Sequence, residues 1–431
     1  MTELSAQLAA SLPPDPGSGP GWVRALRSNG AEQFRLHGLP DRKDEAWKYT
    51  RLGVLDKREI QLVSLTESPV SQSLYPEPLA DAGYQVNMLD GQMADQTGTL
   101  PAGLTVLSLA DALEQEVGGL QVLLESLPEM QSGGGSTHGF TALNTATLNS
   151  GVFIHVAAGT DGGRLLLNWA TLPHEAPLLM NTRVCLILEQ DANLELLEQF
   201  ESLHANTSNI VVQAEIGVNA GLQHVRFQQE SEETILITRT EVSQQSNSGY
   251  AYYGFDLGGG LVRHDLHTAL LGSGANSGIN GAYLLDGNRH VDNHARVDHI
   301  APGCFSEQYF RGVAGGSGRA VFNTAVKVHP GADESEARQS NANILLSARA
   351  EVDTKPELEI YADEVIASHG ATVGQLDEQA VFYLRSRGLN ENEARQLLTT
   401  AFCRSVSDKL SDPVLGELIS QRMMDVMPQA E

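Results

Sequence analysis

The amino-acid sequence predicts a mainly β protein with a solenoid core between two helical regions, and three observations lead to this. Glycine makes up 42 of 431 residues, which favours a turn-rich architecture over a helical bundle. Between about residues 140 and 369, short β-rich runs follow one another without an amphipathic helix, which excludes the alternating βαβ pattern. Many runs alternate apolar and polar residues, with small residues at the corners, as stacked coils require. No fixed repeat period emerges, so a sandwich, a barrel and a propeller stay open at this point.

The composition excludes several classes of function. The formal net charge is −26 and no Lys/Arg cluster is evident, so we expect no binding to nucleic acid or to an anionic membrane surface. No run of eighteen or more apolar residues occurs, which predicts that no helix spans a bilayer. The cysteines Cys185, Cys304 and Cys403 are widely spaced and odd in number, and the sequence starts without a signal-peptide pattern. A reducing cytoplasm is therefore the expected location.

Residues 1–137 are predicted to form a mainly helical N-terminal region. Trp22, Leu26 and Phe34 fall near helical spacing, and Gly38 supplies a stop signal. The preceding SLPPDPGSGP segment breaks any helix that begins at the terminus. A strand-like YQVNML and a helix-like LADALEQEV follow, and the segment QSGGGSTHG predicts a domain boundary.

Residues 138–372 are predicted to form the β-solenoid core. Short turn segments such as DAN, NAG, GSGANSG, GGSG and PGAD separate the strand-like runs. The predicted strand runs include GVFIHVAA, RLLLNWAT, RVCLILEQ, NLELLEQF, NIVVQAEIGV, LQHVRFQQ, TILITRTEV, RAVFNTAVKV, NILLSARAEV and LEIYADEVIA.

Residues 373–431 are predicted to form a small helical C-terminal domain. Asp377 can cap a first helix that Gly388 ends, and Asn390 with Glu393 resembles a capping box. An Asp-Pro pair at 412–413 then opens a last helix. The apolar residues predicted to line the helix faces are Ala394, Leu397, Leu398, Ala401, Phe402, Val406, Val414, Leu418 and Ile419.

A group of histidines lies in the run RHVDNHARVDHIAPGC. His290 and His294 are four apart, so in a strand they share a face, and Asp292, His299 or Cys304 could complete a metal site. The alternative is that these are surface and corner histidines that bind nothing. That alternative is favoured.

Other motifs point to structure rather than to chemistry. No GxxxxGK[ST] is present, and GVAGGSGRA lacks both phosphate-loop spacing and a following helix, so it predicts a turn. His264 and His267 fall on opposite faces of a strand, and Cys185 and Cys403 sit among apolar neighbours as core residues. A nucleophilic pair of Cys304 with His299 lacks an oxyanion glycine motif and an orienting partner.

His369 stands apart because of its setting. It ends the β run LEIYADEVIASHG at the junction with the helical domain, where neighbours from two elements, or from a partner, converge. A neutral imidazole is a borderline ligand for iron and can also carry a proton near neutral pH. The alternative is a histidine hydrogen-bonded to a turn carbonyl, and side-chain chemistry alone favours that alternative.

The same junction resembles the C-terminal hallmark of the SufB/SufD family, in which SHGATVG is followed by FYLRSRG. Further matches are NHARVDHIAPGCFSEQYFRGV, RAVFNTAVKV, QSNANILLS, FTALNTATLNSGVFIHV and, near the N-terminus, EAWKYTRL. The resemblance therefore spans nearly the whole chain. Within the family the chain resembles the SufD side, since Gly370 follows His369 where a SufB chain carries glutamate. Ala367 departs from SufD relatives that often have cysteine there, which leaves His369 as the residue carried over.

The resemblance implies a right-handed parallel β-helix flanked by N- and C-terminal helical domains, and a non-catalytic role in iron–sulfur cluster assembly. A SufB-like paralogue would bind the late coils, and a SufC-like ABC ATPase would bind the C-terminal helices and hydrolyse the ATP. A transient cluster would form between the two scaffold chains, with His369 and a partner cysteine as ligands and Cys304 as a second candidate. The isolated chain would hold no stable cofactor, and a homodimer is also compatible.

Two rival functions come from other classes. A β-helical carbohydrate-active enzyme needs converging carboxylates on one solenoid face, and Asp292, Asp298, Glu357 and Glu359 are available. Glu357 and Glu359 are equally well explained as an exposed strand face. A free-standing metal-binding scaffold built on the histidine pair would differ by binding metal tightly without a partner.

Overall fold

The computed structural model describes residues 2–41, 43–55, 60–62, 75–127, 139–202 and 204–428. Within these residues the chain is mainly β, with a β-solenoid of about eight turns flanked by N- and C-terminal helices, eight helices in all. The predicted fold class is confirmed. The boundary predicted at QSGGGSTHG lies outside the described residues except for its last glycine.

The solenoid consists of two parallel sheets, and successive strands of the chain alternate between them. From residue 151 onward, odd-numbered strands stack in one sheet and even-numbered strands in the other, so each coil contributes one strand to each. The odd strands are β5 Gly151–Val156, β7 Leu178–Leu188, β9 Asn206–Ile216, β11 Ile235–Gln244, β13 Leu261–Leu270, β15 His290–His299, β17 Arg319–Val328 and β19 Glu351–Ile360. The even strands are β6 Asp161–Ala170, β8 Asn193–Phe200, β10 Gly221–Gln228, β12 Gly249–Asp256, β14 Asn276–Leu285, β16 Phe305–Ala314, β18 Glu336–Leu345 and β20 Ile366–Gly374.

The register of the sheets explains why the sequence shows no fixed period. Ile235, Leu261, His290, Arg319 and Glu351 form one row across neighbouring strands, so the steps along the chain are 26, 29, 29 and 32 residues. Variable turns absorb these differences while the strands stay in register. The repeat is therefore structural and is hidden in the sequence.

The interior of the solenoid is apolar with a buried polar cluster near its middle. His224 Nε2 lies 2.8 Å from Glu198 Oε2, and Arg226 donates to Asp256 at 2.9 Å. His264 Nε2 lies 3.0 Å from the same Asp256, and burial lowers the pKa of His264 to about 4. Mutual pairing makes the burial of these groups tolerable.

The N-terminal region packs on the start of the odd-numbered sheet and extends both sheets. Its helices are α1 Glu3–Ser11, α2 Gly21–His37, α3 Leu109–Glu114, α4 Leu120–Glu125 and α5 Gly139–Ala146; its strands are β1 Gln61–Leu62, β2 Tyr84–Leu89, β3 Gln92–Gly98 and β4 Leu104–Ser108. The strand predicted at YQVNML, the helix begun at LADALE and the stop at Gly38 are confirmed. The β texture expected from about residue 140 was wrong at its start, because α5 occupies 139–146. It packs closely on α2, where a Cβ on Gly30 would lie 2.6 Å from the Ala146 nitrogen.

The C-terminal helices are α6 Glu378–Ser386, α7 Glu391–Ser407 and α8 Pro413–Asp425, and they cover the outer face of the even-numbered sheet. The predicted caps are confirmed, including the Asn390–Glu393 capping box. The predicted helix faces were partly wrong. Leu397, Val414 and Leu418 are exposed, because the sheet contacts a different side of α7 and α8.

Candidate functional site at the last coil

The last coil, β19 and β20, has an open edge in both sheets. Among the strands of the described residues, β19 pairs only with β17, and β20 pairs only with β18. Large apolar side chains are exposed on or beside these strands: Ile360, Tyr361, Ile366 and Val373. An uncovered strand edge with exposed apolar residues is a ready template for another polypeptide. The geometry therefore marks this end of the solenoid, which we call the open end, as an interaction surface.

His369 lies in the middle of β20 and not at the end of a single β run, as the sequence predicted. The run LEIYADEVIASHG is two strands, because residues 361–365 form a turn in which Glu364 has φ 55°. This correction moves His369 from a strand terminus onto the uncovered edge strand. Its side chain is exposed.

His369 continues an inward-facing polar column. Gln308, Gln339 and His369 are in register on β16, β18 and β20, and the two glutamines are buried. Gln339 Nε2 donates to Thr324 Oγ1 at 3.1 Å, whereas Gln339 Oε1 has no hydrogen-bond partner. His369 itself makes no hydrogen bond within the described part of the chain. An imidazole with both nitrogens uncommitted can bind a metal or move a proton.

Cys304 does not join His369. It precedes β16, is buried, and its thiol donates to the Gly272 carbonyl at 3.3 Å. Two strands and several residues along the sheet separate it from His369, roughly 15 Å or more. Burial raises the pKa of the Cys304 thiol despite backbone donors from Ala275 and Gly274.

The predicted histidine group divides between the two faces of β15. His290 and His294 share the outer face as expected, and His299 points inward, where its Nε2 lies 2.8 Å from Ser306 Oγ. Burial lowers the pKa of His299 to about 4. Among the described residues, no group of three or more His, Cys, Asp or Glu side chains could hold a metal ion.

Asp292 instead anchors the N-terminal segment to the solenoid. Thr50 and Arg263 both donate to it, and His294 Nε2 lies 2.8 Å from it. The charge of Arg263 outweighs the effect of burial and lowers the pKa of Asp292 to about 2. The Arg263 guanidinium also stacks on Trp47, 3.9 Å from the ring centroid. The Trp-Lys-Tyr-Thr signature therefore has a structural role at this position.

His267 joins two strands through carboxylates, a role that its position in the strand did not predict. Its two ring nitrogens each lie 2.7 Å from a carboxylate, Nδ1 from Glu241 and Nε2 from Asp298. Burial alone would lower the pKa of His267, but the two carboxylates raise it to about 9. The signal was a charged or titratable residue at the same outward position of three neighbouring strands, where Glu241, His267 and Arg296 form one row and Asp298 follows two residues on.

The carboxylates considered for glycoside hydrolysis do not form a catalytic pair. Asp292 and Asp298 lie on β15 and are held ionised by cationic neighbours, with the pKa of Asp298 well below its usual range. Glu357 and Glu359 lie two strands away on β19 and pair with Lys355 and Lys327. Neither aspartate can supply the general acid with a raised pKa that this chemistry needs.

Comparison with known proteins identifies the family. The model of the SUF-system FeS cluster assembly SufBD core domain matches residues 172–402, and that of the SufBD N-terminal region matches residues 19–164. The chain belongs to the SufBD family. The core match includes His369 and ends within α7, so it covers β19, β20 and α6 but not α8.

Relatives support the SufD side of the SufBD family. The iron–sulfur cluster assembly protein SufD of Escherichia coli is 30% identical over 421 residues, 92% of this chain and 91% of the relative. The iron–sulfur cluster assembly SufBD family protein slr0076 of Synechocystis is 29% identical over 398 residues, covering 89% and 86%. The chloroplastic protein ABCI7 of Arabidopsis thaliana is 27% identical over 428 residues, covering 94% and 84%. In the described part of this SufBD chain, every helix is too short or too polar to cross a membrane.

Proposed function

We propose that this chain is a non-catalytic scaffold subunit of a cytoplasmic iron–sulfur cluster assembly complex. It pairs with a SufB-like paralogue through the open end and binds a SufC-like ABC ATPase through its C-terminal helices. The ATPase hydrolyses ATP, and the nascent cluster is built and transferred between the two scaffold chains. The single observation that carries this proposal is the exposed, unpartnered His369 on an uncovered edge strand of a SufBD chain.

The chemistry of His369 suits a transient ligand. Imidazole is a borderline nitrogen donor, and a site with fewer thiolates holds iron and sulfide more loosely than a four-cysteine site. The thiolate must come from the partner, because all three cysteines of this chain are buried. Burial raises the pKa of Cys185 and of Cys403 to about 12. It also raises the pKa of Cys304 above its ordinary value. A buried thiol with a raised pKa is a poor ligand and nucleophile.

Two separate surfaces suit two partners. The open end offers unpaired backbone groups and apolar side chains for a second β-solenoid, and a second copy of this chain fits the same edge. The C-terminal helices carry exposed apolar residues that the even-numbered sheet leaves uncovered, including Phe382 and Val414, which are 72% and 66% exposed. Exposed side chains of this size on a small helical unit favour a protein partner.

The test is His369→Ala in the purified complex with both partners. We expect assembly of clusters on the complex, followed by anaerobic absorption spectroscopy and transfer to an apo-acceptor, to fall roughly tenfold or more. Co-purification of the partners and thermal unfolding should stay unchanged, because an exposed imidazole contributes little packing. His37→Ala, an exposed histidine at the end of α2, is the matched control.

A different result would contradict the proposal. Normal cluster output from a stable His369→Ala complex would remove His369 from the assembly site. Loss of the complex in proportion to loss of activity would make the residue structural. The isolated wild-type chain should neither hydrolyse ATP nor show iron–sulfur absorption after anaerobic purification.

A further inference from the structure

A cavity of about 320 Å³ lies at the amino ends of four neighbouring strands of the odd-numbered sheet. The first residues of β11, β13, β15 and β17 form one row beneath it. Tyr49, Arg51 and Val54 close it from the N-terminal segment. His369 belongs to the other sheet, so this cavity, which we call the arginine pocket, is separate from the proposed assembly site.

The arginine pocket concentrates positive charge in a chain of net charge −26. Arg51, Arg289 and Arg319 line it, against one lining carboxylate, Glu232. Arg51 forms no ion pair with the described part of the chain. Glu232 lies beside Arg289 and Glu351 lies beside Arg319, so the charge of Arg51 is the one that an anion in the pocket would balance.

The two arginines that have acidic neighbours, Arg289 and Arg319, each keep a hydrogen-bond donor without an acceptor. Arg289 Nε lies 3.5 Å from Glu232, and Arg319 Nε lies 3.1 Å from Glu351. Neither contact is aligned as a hydrogen bond, so both buried Nε–H groups lack an acceptor. Buried polar groups in folded proteins are normally satisfied, and an oxyanion in the pocket would supply the missing acceptors.

The walls of the arginine pocket are held in place without a ligand. His290 Nε2 lies 2.8 Å from Thr50 Oγ1, and Arg263 donates to the Ala46 carbonyl at 2.8 Å. These contacts fix the segment that carries Tyr49 and Arg51 against the sheet. A pocket held open in this way loses little conformational freedom when it binds a small molecule.

We propose that the arginine pocket binds a small phosphate monoester with an aromatic or aliphatic body. A phosphate group carries up to two negative charges and three terminal oxygens, so it can accept hydrogen bonds from several guanidinium groups. A carboxylate has two oxygens and pairs with one guanidinium group. The remaining walls suit an apolar body, since Tyr49, Val54, Ile235 and Leu261 line them. The volume fits a small organic molecule and is generous for inorganic phosphate alone.

The test is isothermal titration of the full chain with phenyl phosphate, inorganic phosphate and benzoate. We expect saturable binding of phenyl phosphate, at least tenfold weaker binding of inorganic phosphate, and no measurable binding of benzoate. Arg289→Gln and Arg319→Gln should each weaken phenyl phosphate binding roughly tenfold or more. Arg404→Gln is the matched control, because Arg404 is as exposed as Arg319 and is also paired with glutamate, but lies on α7.

Glu232→Gln separates binding from damage to the fold. It removes the one lining carboxylate, so phenyl phosphate should bind more tightly, which a misfolded variant cannot do. Absence of saturable phenyl phosphate binding to the wild-type chain overturns the proposal. Equal affinity for benzoate overturns the phosphate assignment, and unchanged affinity in both arginine variants overturns the location. None of these outcomes bears on His369.

Discussion

His267 shows how single ionised residues tie neighbouring coils together. It bridges Glu241 on β11 and Asp298 on β15, and Asp298 also accepts from Arg296 and His329. The neighbouring charge and hydrogen bonds outweigh burial and lower the pKa of Glu241 to about 2. These are lateral contacts across three stacked strands, so they stabilise the register of the odd-numbered sheet.

The raised pKa of His267 predicts a pH dependence of stability. The unfolded histidine titrates near 6.5 and the folded one at about 9, so the cation stabilises the fold fully below pH 6.5. That contribution is lost as the pH rises from 6.5 through 9. We expect His267→Gln to lower the free energy of unfolding at pH 6 and to matter little above pH 9. Chemical denaturation at pH 6, 7.5 and 9.5 measures this, with His37→Gln as the control. The same pH slope in wild type and His267→Gln would contradict the assignment.

At the scale of helices and strands, the sequence predicted where helices begin but not which side of each helix is buried. The caps at Asp377, Asn390 and Asp412 rest on side-chain bonds to the following backbone, which depend on sequence alone. Which side of α7 and α8 is buried depends on where the even-numbered sheet lies, and so the exposure of Leu397 was missed. The turn at 361–365 was missed because Glu364, not glycine or asparagine, takes the left-handed conformation.

The exposed face of α8 gives a prediction about ATPase binding. Val414 and Leu418 are one helical turn apart and both exposed, whereas Leu415 and Ile419 pack inside. We expect a Val414→Glu/Leu418→Glu double variant to weaken binding of the SufC-like ATPase at least tenfold in a pull-down titration. Thermal unfolding should change little. Deleting the helices is a poorer test, because they cover apolar residues of the even-numbered sheet such as Phe227 and Phe255. Full-affinity binding by the double variant would place the ATPase elsewhere.

For the whole molecule, the sequence predicted the class of architecture but not where the stack of coils ends. Alternating runs and corner residues indicated a solenoid, while steps of 26 to 32 residues hid the repeat. His369 was singled out from its motif, but its place on an uncovered edge strand depends on pairing between residues far apart in sequence. The charges that converge on Asp292, His267 and the arginine pocket arise in the same way. Each of these groups of charges forms only when strands stack side by side. No pattern within a short stretch of sequence predicts them.

The open end gives the last prediction, which concerns assembly. Ile366 is 66% exposed and Val373 is 43% exposed, and both lie on β20 beside the unpaired edge. Burying two such side chains against a partner contributes about 2 kcal/mol or more, and a lysine there must also be desolvated. We therefore expect Ile366→Lys/Val373→Lys to weaken pairing with the SufB-like paralogue, and any homodimer, more than tenfold by analytical ultracentrifugation.

Binding of the ATPase to this variant should persist, since α6–α8 lie on the outer face of the sheet. Leu36→Lys/Val122→Lys is the control, because both residues are 69% exposed in the N-terminal region. If the control weakens pairing and the β20 variant does not, the two scaffold chains meet at the other end of the solenoid.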